Sequence, residues 1–275
     1  MTKEISSLQN DLIKEIIQLQ EKSRIRKQKG FFIIEGQREI ALAIAGGYDI
    51  KKLLFCEEII GESDLEQLLG SFTDAQPVLI KLSFKVYQKV AHRKTTEGII
   101  AIAISKNLSL NNLTLSENPL ILVAEASEKP GNIGALLRTA DAANLDAVII
   151  ANPKTDIYNP NIIRSSVGCV FTNQIATGST DEILDLLKQK QINIFTAALD
   201  DRSLPYDTID YTNPSAVVVG TEATGLSEKW LENATENVII PMQGKIDSLN
   251  VSVSAAIVIF EAKRQRGFRP KANLP

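Results

Sequence analysis

Residues 120–140 of this chain, LILVAEASEKPGNIGALLRTA, combine an apolar run with a Pro-Gly turn and an amphipathic segment. The run at 120–124 predicts a buried strand, and the apolar positions after the turn recur at helical spacing, which predicts a helix over 132–143. A strand that passes through a short turn into a helix is the repeating unit of a parallel α/β sheet. The turn is therefore a candidate site, because ligands of such sheets bind beyond the carboxyl ends of the strands.

The rest of the chain follows the same alternation in two blocks. Later strands are predicted at 147–151, 191–197, 216–220 and 237–241, with helices at 161–168, 181–190, 228–233 and 251–266. The earlier block predicts strands at 31–34, 50–56, 77–82 and 98–104, with helices at 6–26, 37–45, 63–69 and 84–90. The two blocks are separated by an Asn- and Ser-rich stretch that shows neither the helical nor the strand spacing of apolar residues. We therefore predict one α/β domain over 1–105, a linker over 106–118 and a second, parallel-sheet domain over 119–275.

The composition limits the classes of site. The chain has 275 residues, 44% of them hydrophobic, with one histidine and two cysteines. These are too few ligands for a multi-residue His/Cys zinc site or a disulfide framework, and no metal is expected. Cys56 and Cys169 are interpreted as small apolar packers, and His92 as part of a basic loop rather than a catalyst. No apolar run reaches the length of a membrane span and the start lacks a signal-peptide pattern, so we expect a cytoplasmic protein without a membrane partner.

The charge balance argues at first against a nucleic-acid partner. Lys and Arg number 30 against 33 Asp and Glu, a formal net charge of −3, whereas phosphate neutralisation normally uses a basic excess. The basic residues are nevertheless concentrated in 22–29, 93–94 and 263–271, and acids gather in 57–66. This predicts a local, salt-sensitive RNA footprint, with no DNA partner expected. The candidate RNA-binding residues are Arg24, Arg26, Lys27, Arg38, Arg93 and Lys94.

Asn132 and Arg138 are the polar residues of interest in the first motif. Asn132 is placed to cap the predicted helix with its side-chain oxygen. Arg138 follows six residues later, about 240° around a helix, so the two converge only if Asn132 precedes the helix. The alternative is that neither residue has a catalytic role: Asn132 would then only cap the helix, and Arg138 would only form a surface ion pair.

The second motif, VVVGTEATGLS at 217–227, nearly matches a phosphate-binding P-loop but has Leu226 in place of the lysine. Without that lysine, and with Glu222 inside the loop, a nucleoside triphosphate loses its main charge partner. The absence of a G-x-G-x-x-G motif also argues against a dinucleotide-binding enzyme. What remains is a turn bordered by Gly220 and Gly225, in which the backbone can approach a flat, uncharged or cationic ligand.

The third motif, VIIPMQGKIDSLNVSVS at 238–254, ends a strand at Pro241 and continues through a polar loop into an apolar helix. Either Ser248 or Asn250 is placed to cap that helix. Apolar residues cover nearly every face of the helix, which predicts burial on most sides. An ordinary core helix would explain the cap but not the elaborate loop before it.

In this order the three segments resemble the signature motifs of the SpoU (TrmH-like) family of RNA ribose 2′-O-methyltransferases, within the SPOUT superfamily. The first motif's core is intact as Asn132, Gly134 and Arg138, and the second as Gly220, Glu222 and Gly225. The third is intact as residues 240–242 and 248–252, Ile-Pro-Met and Ser-Leu-Asn-Val-Ser. One departure is Glu128-Lys129 before Pro130, where relatives often carry an Asp-Pro pair; it lies outside the core residues.

The resemblance implies a trefoil-knotted parallel-sheet methyltransferase domain, an exception to unknotted topology, that binds S-adenosylmethionine and works as a homodimer. It implies that the methyl donor is held around Val219, Gly220, Ile240, Met242 and Leu249. It further implies that the reacting centre is formed by Arg138, Asn132, Glu222, Ser248 and Asn250. The first domain resembles a smaller, ribosomal-protein-like α/β RNA-binding domain through residues 8–10, the basic run after it and residues 32–38.

The expected activity is methyl transfer from S-adenosylmethionine to a ribose 2′-hydroxyl of structured RNA, with ribosomal RNA as the first expectation and tRNA as the second. Relatives are often described with the equivalent of Arg138 as the base. Because arginine stays protonated, we prefer a role in gripping the adjacent phosphate and stabilising a developing alkoxide, with Asn132, Ser248 and Asn250 orienting both groups. The alternative from another class is a non-catalytic RNA-binding assembly factor of the same fold.

Overall fold

The structure is a computed structural model, and it describes residues 3–72, 76–92, 97–200, 202–221 and 224–268. Its strands are β1 (Lys3–Ile5), β2 (Phe31–Glu35), β3 (Ile50–Phe55), β4 (Val78–Leu82), β5 (Ile99–Ile104), β6 (Leu120–Glu125), β7 (Ala147–Ala151), β8 (Ile175–Gly178), β9 (Asn193–Ala197), β10 (Leu204–Pro205), β11 (Ser215–Val219) and β12 (Glu236–Ile239). Its helices are α1 (Asp11–Glu21), α2 (Ser23–Lys29), α3 (Gln37–Ala45), α4 (Glu62–Gly70), α5 (Phe84–Val90), α6 (Pro130–Ala143), α7 (Pro160–Ser165), α8 (Thr180–Gln189), α9 (Glu228–Asn233) and α10 (Val251–Arg266). None of the helices in these ranges is long and apolar enough to cross a membrane.

The chain forms two compact units. The first comprises Met1–Asn107 with Thr155–Thr172, and the second comprises Leu108–Lys154 with Asn173–Pro275. The segment with α7 thus belongs to the first unit, although the boundaries predicted from sequence assign it to the second domain. Aromatic packing explains this, since Tyr158 stacks on Phe32 with ring centroids 4.3 Å apart. The stretch predicted as a linker also packs, because Leu110, Leu113 and Leu115 contact the core of the second unit.

The first unit is built on a five-stranded mixed sheet in the order β1-β4-β3-β5-β2. The strand β5 runs antiparallel to both of its neighbours, and β1, β4 and β3 run parallel. All but the last residue of β5 are buried, as expected for a strand covered on both faces. Cys56, after β3, is fully buried, and burial raises the pKa of its thiol, which agrees with its interpretation as an apolar packer.

The helix predicted over 6–26 is two helices, α1 and α2, separated by an extended Lys22. Arg26 explains the break. Its guanidinium donates to the carbonyl oxygens of Leu19 and Gln20, at 2.6 and 3.1 Å, which the end of α1 leaves without helical partners. It also forms an ion pair with Asp156. Because Arg26 is 3% exposed, its predicted role in RNA binding is wrong; it is a structural residue.

The second unit is built on a seven-stranded sheet in the order β10-β12-β9-β11-β6-β7-β8, and each neighbouring pair is parallel. The predicted α/β fold with a parallel sheet is confirmed. All residues of β6, β7 and β11 are buried, which is why these strands are continuous apolar runs in the sequence. The strand β8, with the sequence IATG, was missed because it is short and only half apolar.

Two helices of the second unit differ from the sequence prediction in ways that matter for the site. The helix α6 begins at Pro130, a favoured first position, so the prediction that Asn132 precedes and caps it is wrong. The helix α10 is capped by Asn250, whose side chain accepts from Ser252 N. The predicted burial of α10 holds on most sides but not along one face, where Val253 is 46% and Phe260 39% exposed.

Candidate functional site

A cavity of about 710 Å³ lies at the carboxyl ends of β9, β11 and β12 in the second unit. Two loops close it, one that follows β11 and one that joins β12 to α10. Its lining includes all five residues predicted to hold the methyl donor, Val219, Gly220, Ile240, Met242 and Leu249, and also Ser248 and Asn250. The position agrees with the rule that ligands of parallel sheets bind beyond the strand ends.

The loop after β11 folds back on itself so tightly that its first residue must be glycine. Thr221 and Gly225 exchange two backbone hydrogen bonds of 3.0 and 3.1 Å. A Cβ on Gly220 would lie 2.5 Å from Leu226 N and closer still to the carbonyl group of Gly225. The backbone of the second motif therefore closes on itself beside the cavity, which Gly220 and Gly225 both line. Glu222, predicted to act here, lies outside the residues that the structure describes.

A buried carboxylate that the sequence analysis missed holds the end of this loop. Glu125, the last residue of β6, is 6% exposed. It accepts from Ser227 N at 2.8 Å, from Ser227 Oγ at 2.7 Å and from Thr180 Oγ1 at 3.2 Å. These bonds tie α8 and the start of α9 to the end of β6. An acid that ends an apolar strand is the signal that could have identified it, because buried carboxylates require partners.

We expect Glu125→Gln to lower the free energy of unfolding by about 2 kcal/mol, because an amide replaces one of the charged acceptors and hydrogen bonds to charged groups contribute about that much. Chemical denaturation of the two proteins measures the difference. The matched control is Glu128→Gln, which makes the same change at an exposed position three residues on and should stay within about 0.5 kcal/mol of the parent. Equal stability of the two variants would contradict the anchoring role.

The first and third motifs meet through an amide pair. Asn250 Nδ2 donates to Asn132 Oδ1 at 3.2 Å, while Asn250 Oδ1 accepts from Ser252 N and Ser252 Oγ at 3.0 and 2.6 Å. One asparagine thus caps α10 and at the same time orients a residue in the first turn of α6. This arrangement fixes both amides at the edge of the cavity.

The loop between β12 and α10 adds polar groups to this edge. Ser248 Oγ donates to Asp247 Oδ1 at 3.2 Å, and both residues line the cavity. A second carboxylate, Asp200, follows the lining residue Leu199. Hydrogen bonds from Arg202 lower the pKa of Asp200 to about 2, so this group is ionised at neutral pH. Asp200 is not among the lining residues and its charge is paired with Arg202, so the acceptors that this edge offers to a cationic ligand are those of Asp247 and Ser248.

Arg138 is not among the residues that line the cavity. It lies on α6 in an exposed position and makes no hydrogen bond or ion pair with the described residues. Because Asn132 lies inside the same helix, the two residues are separated by roughly 9 Å along the axis and about 240° around it. The structure therefore pairs Asn132 with Asn250, places Ser248 on the wall of the cavity that Asn250 also lines, and leaves Arg138 exposed.

The basic residues of the first unit divide into two groups. Arg24, Lys27 and Arg38 are exposed, as a phosphate-binding surface requires, whereas Arg26 is buried. Arg93 and Lys94 lie outside the described residues. His92 is exposed, and its Nε2 is 3.3 Å from Asn161 Oδ1. No carboxylate contacts its imidazole in the described part of the chain.

Comparisons with known proteins match both units. A model of the SpoU rRNA Methylase family matches residues 119–260, and a model of the MRM3-like substrate binding domain matches residues 10–101. The 23S rRNA (guanosine(2553)-2'-O)-methyltransferase RlmP of Bacillus subtilis (strain 168) is 29% identical, over 95% of this chain and 99% of that protein.

Solved structures are similar to this chain over nearly its full length. A structure of an RNA 2'-O ribose methyltransferase is 39% identical, with a TM-score of 0.81, and covers 96% of this chain and 99% of its own. An AdoMet-bound rRNA methyltransferase from Sinorhizobium meliloti is 27% identical, with a TM-score of 0.85, and covers 96% of this chain and 98% of its own. The three motifs and the residues that line the cavity all lie within residues 119–260, which the family model matches.

Proposed function

The chain belongs to the SpoU rRNA methylase family, and from that membership we propose that it transfers a methyl group from S-adenosylmethionine to a ribose 2′-hydroxyl of structured RNA, with ribosomal RNA as the substrate class. The family model confirms the resemblance inferred from the three motifs. The observation that carries the proposal is the cavity at the ends of β9, β11 and β12, whose lining includes every residue predicted to hold the methyl donor.

The chemistry of this cavity fits S-adenosylmethionine. The apolar residues Val219, Ile240 and Leu249 suit its adenine and thioether parts, and the backbone around Gly220 can lie against a flat ring. The acidic group of Asp247 suits its cationic centres. When bound, S-adenosylmethionine supplies a methyl group that is attached to a sulfonium. After transfer of the methyl group, the sulfur remains in the leaving group as a neutral thioether.

The residues around the cavity then have to position the ribose and increase the reactivity of its 2′-hydroxyl. Asn132 and Asn250, held by their mutual hydrogen bond, orient the ribose together with Ser248. Methyl transfer releases the proton of the 2′-hydroxyl, which passes to solvent water at this exposed site. Arg138 binds the adjacent phosphate through its planar fork and stabilises the negative charge that develops on the 2′-oxygen. Its exposed position on α6 fits a group that meets the RNA backbone. Glu222 remains a predicted member of this set.

Two measurements test this function. Equilibrium binding of S-adenosylmethionine to the purified protein separates the enzyme from a non-catalytic assembly factor of the same fold, since absence of binding would support the latter. Mapping of 2′-O-methyl sites in cellular RNA, with and without the gene, then identifies the substrate. Loss of a site in ribosomal RNA is the expected result, whereas loss confined to tRNA would support the alternative substrate.

The second unit, Leu108–Lys154 with Asn173–Pro275, is proposed as the methyltransferase domain. The first unit, Met1–Asn107 with Thr155–Thr172, is proposed as the RNA substrate-binding domain. Its match to a substrate-binding domain and the exposed Arg24, Lys27 and Arg38 support this. Arg93 and Lys94 add positive charge to the same part of the sequence. An enzyme acting on such RNA would work in the cytoplasm.

The second unit is proposed to contain a trefoil knot. In the observed strand order β12 pairs with β9 and not with β11, which precedes it in the chain. The helix α10 then packs against α6 and β11. The chain after β12 thus returns toward the first motif, as threading of the carboxyl-terminal segment through an earlier loop requires.

The active form is proposed to be a homodimer that buries the exposed face of α10. Val253, Ile257 and Phe260 lie along that face at helical spacing, and two of them are strongly exposed. An apolar helix face of this kind is typical of a protein–protein contact.

We expect Phe260→Asp to convert the dimer into a monomer, because it places a charge in the apolar contact. Sedimentation equilibrium measures the mass. The control is Val78→Asp, which introduces the same charge at a residue 58% exposed in the first unit and should leave the mass unchanged. A Phe260→Asp protein that remains dimeric would contradict the α10 interface.

A further inference from the structure

The first unit contains a second cavity, whose wall carries side chains of both charges. Its volume is about 190 Å³, far above the roughly 10–15 Å³ that one buried water needs. The ionisable lining residues are Glu35, Arg38, Glu39, His92, Glu97 and Arg164. None of them lines the cavity in the second unit. The proposed methyl transfer therefore leaves this cavity without a role.

Two carboxylates converge at the start of α3 because Gly36 has no side chain. Gly36 has φ +107°, and a Cβ there would lie 2.6 Å from Glu39 Oε2 and 3.5 Å from Glu97 Oε2. Glu39 is a buried residue, and Glu97 accepts a hydrogen bond from the backbone N–H of Gln37. Any larger residue at 36 would displace the Glu39 carboxylate. The backbone thus keeps two negative groups close together.

A third carboxylate, Glu35, is fixed on the same wall. Its two oxygens accept from the backbone N–H of His92 at 3.1 and 3.0 Å. A carboxylate has about four lone-pair sites, so all three retain acceptor capacity toward the cavity. Their charge repels phosphate, and the described residues contain no cluster arranged to hold a metal ion. The occupant should therefore present N–H donors.

Two guanidinium groups complete the wall and require acceptors. Arg38 Nη2 donates to Glu39 Oε1 at 2.7 Å, and its side chain is 60% exposed. Arg164 Nη2 donates to Asn161 Oδ1 at 2.6 Å. Each guanidinium has five N–H donors, so both can bind a further acceptor. The occupant thus needs donors on one edge and acceptors on the next.

Guanine is the RNA base with this pattern. Its Watson–Crick edge carries two adjacent donors, N1–H and the N2 amino group, which match the two oxygens of one carboxylate. Its O6 and N7 are adjacent acceptors, which match an arginine fork. The other three bases have one donor group on that edge, next to acceptors. Unstacked RNA bases are commonly bound in this way, with a histidine or arginine plane against the ring.

We propose that this cavity binds one unpaired guanine of the substrate RNA, with Glu39 and Glu97 accepting from its Watson–Crick edge and Arg38 donating to its acceptors. The inference rests on the proposed action on RNA, and it deepens that proposal by giving the first unit a base-specific contact beside its phosphate contacts. The site would select RNAs that expose an unpaired guanine.

The test is equilibrium binding of the full-length protein to fluorescent RNA hairpins that differ in one unpaired loop nucleotide, G, A, C, U or inosine. Raised salt suppresses binding through phosphates alone. The guanine hairpin should bind roughly tenfold more tightly than the others, including inosine, which lacks only the N2 amino group. The inosine comparison needs no protein variant, so it stands even if a variant folds poorly.

Glu39→Gln and Glu97→Gln should remove the preference for guanine while S-adenosylmethionine binding stays unchanged. The control Glu66→Gln, which removes the same charge from an exposed position on α4, should keep it. Equal affinity of the parent protein for all five hairpins would overturn the guanine site and leave the proposed methyl transfer standing. Absence of binding to every hairpin, together with absence of methyl transfer, would overturn both.

Discussion

Gly220→Ala should weaken S-adenosylmethionine binding by roughly 100-fold. The added methyl group would lie 2.5 Å from Leu226 N and against the carbonyl of Gly225, and these are backbone atoms that cannot move independently of the loop. Overpacking of this kind costs about 1–3 kcal/mol, at times more, and each ~1.4 kcal/mol is a factor of ten in affinity. The loop would have to open, which deforms the wall of the cavity. Isothermal titration with S-adenosylmethionine measures the loss.

Gly244→Ala is the matched control for this prediction. Gly244 lies in the loop between β12 and α10, and a Cβ there meets no atom within 4 Å. The same chemical change should therefore alter the affinity by less than about twofold, since surface substitutions typically cost under about 0.5 kcal/mol. If Gly220→Ala bound S-adenosylmethionine as tightly as the control does, the tight closure of the second motif would not be what shapes the site.

The alternation of strands and helices could be predicted because each unit's buried strands are apolar runs bounded by turns. Each error can be traced to a particular contact. The break between α1 and α2 depends on Arg26, whose guanidinium reaches the carbonyls of Leu19 and Gln20, and a basic residue in a basic run gives no sign of such a contact. The segment with α7 joins the first unit through aromatic contacts distant in sequence, which periodicity does not report.

The candidate site could be predicted in part. The three motifs converge because the ends of parallel strands share one edge of the sheet, and this follows from the strand pattern alone. The pair of Asn132 and Asn250 could not be foreseen from helical geometry, since it depends on how α10 packs against α6. Glu125 was missed for a related reason: its partners Ser227 and Thr180 are distant in sequence. The local sequence pattern thus predicts where a polar residue lies along a strand or helix, whereas its hydrogen-bond partners depend on the tertiary packing.

Arg138→Ala should lower kcat by about 10²- to 10³-fold, the loss typical of removing one donor that stabilises developing negative charge. Arg138→Lys should recover only a small part of this, because an ammonium cannot make the paired hydrogen bonds of a planar guanidinium. Neither change should alter the affinity for S-adenosylmethionine, since Arg138 does not line that cavity. Multiple-turnover methylation of the substrate RNA at saturating concentrations gives kcat, and titration with S-adenosylmethionine gives the affinity.

Arg202→Lys provides the control, because it removes a paired arginine contact elsewhere in the same unit. Arg202 is 78% exposed and donates to both oxygens of Asp200 at 3.1 and 3.0 Å. The lysine variant at this position should keep kcat near that of the parent enzyme. Near-normal turnover of Arg138→Lys would exclude the paired phosphate contact and leave Arg138 acting through its charge alone. Near-normal turnover of Arg138→Ala would remove it from the reacting centre, because in that case neither its charge nor its hydrogen bonds would contribute to the transition state.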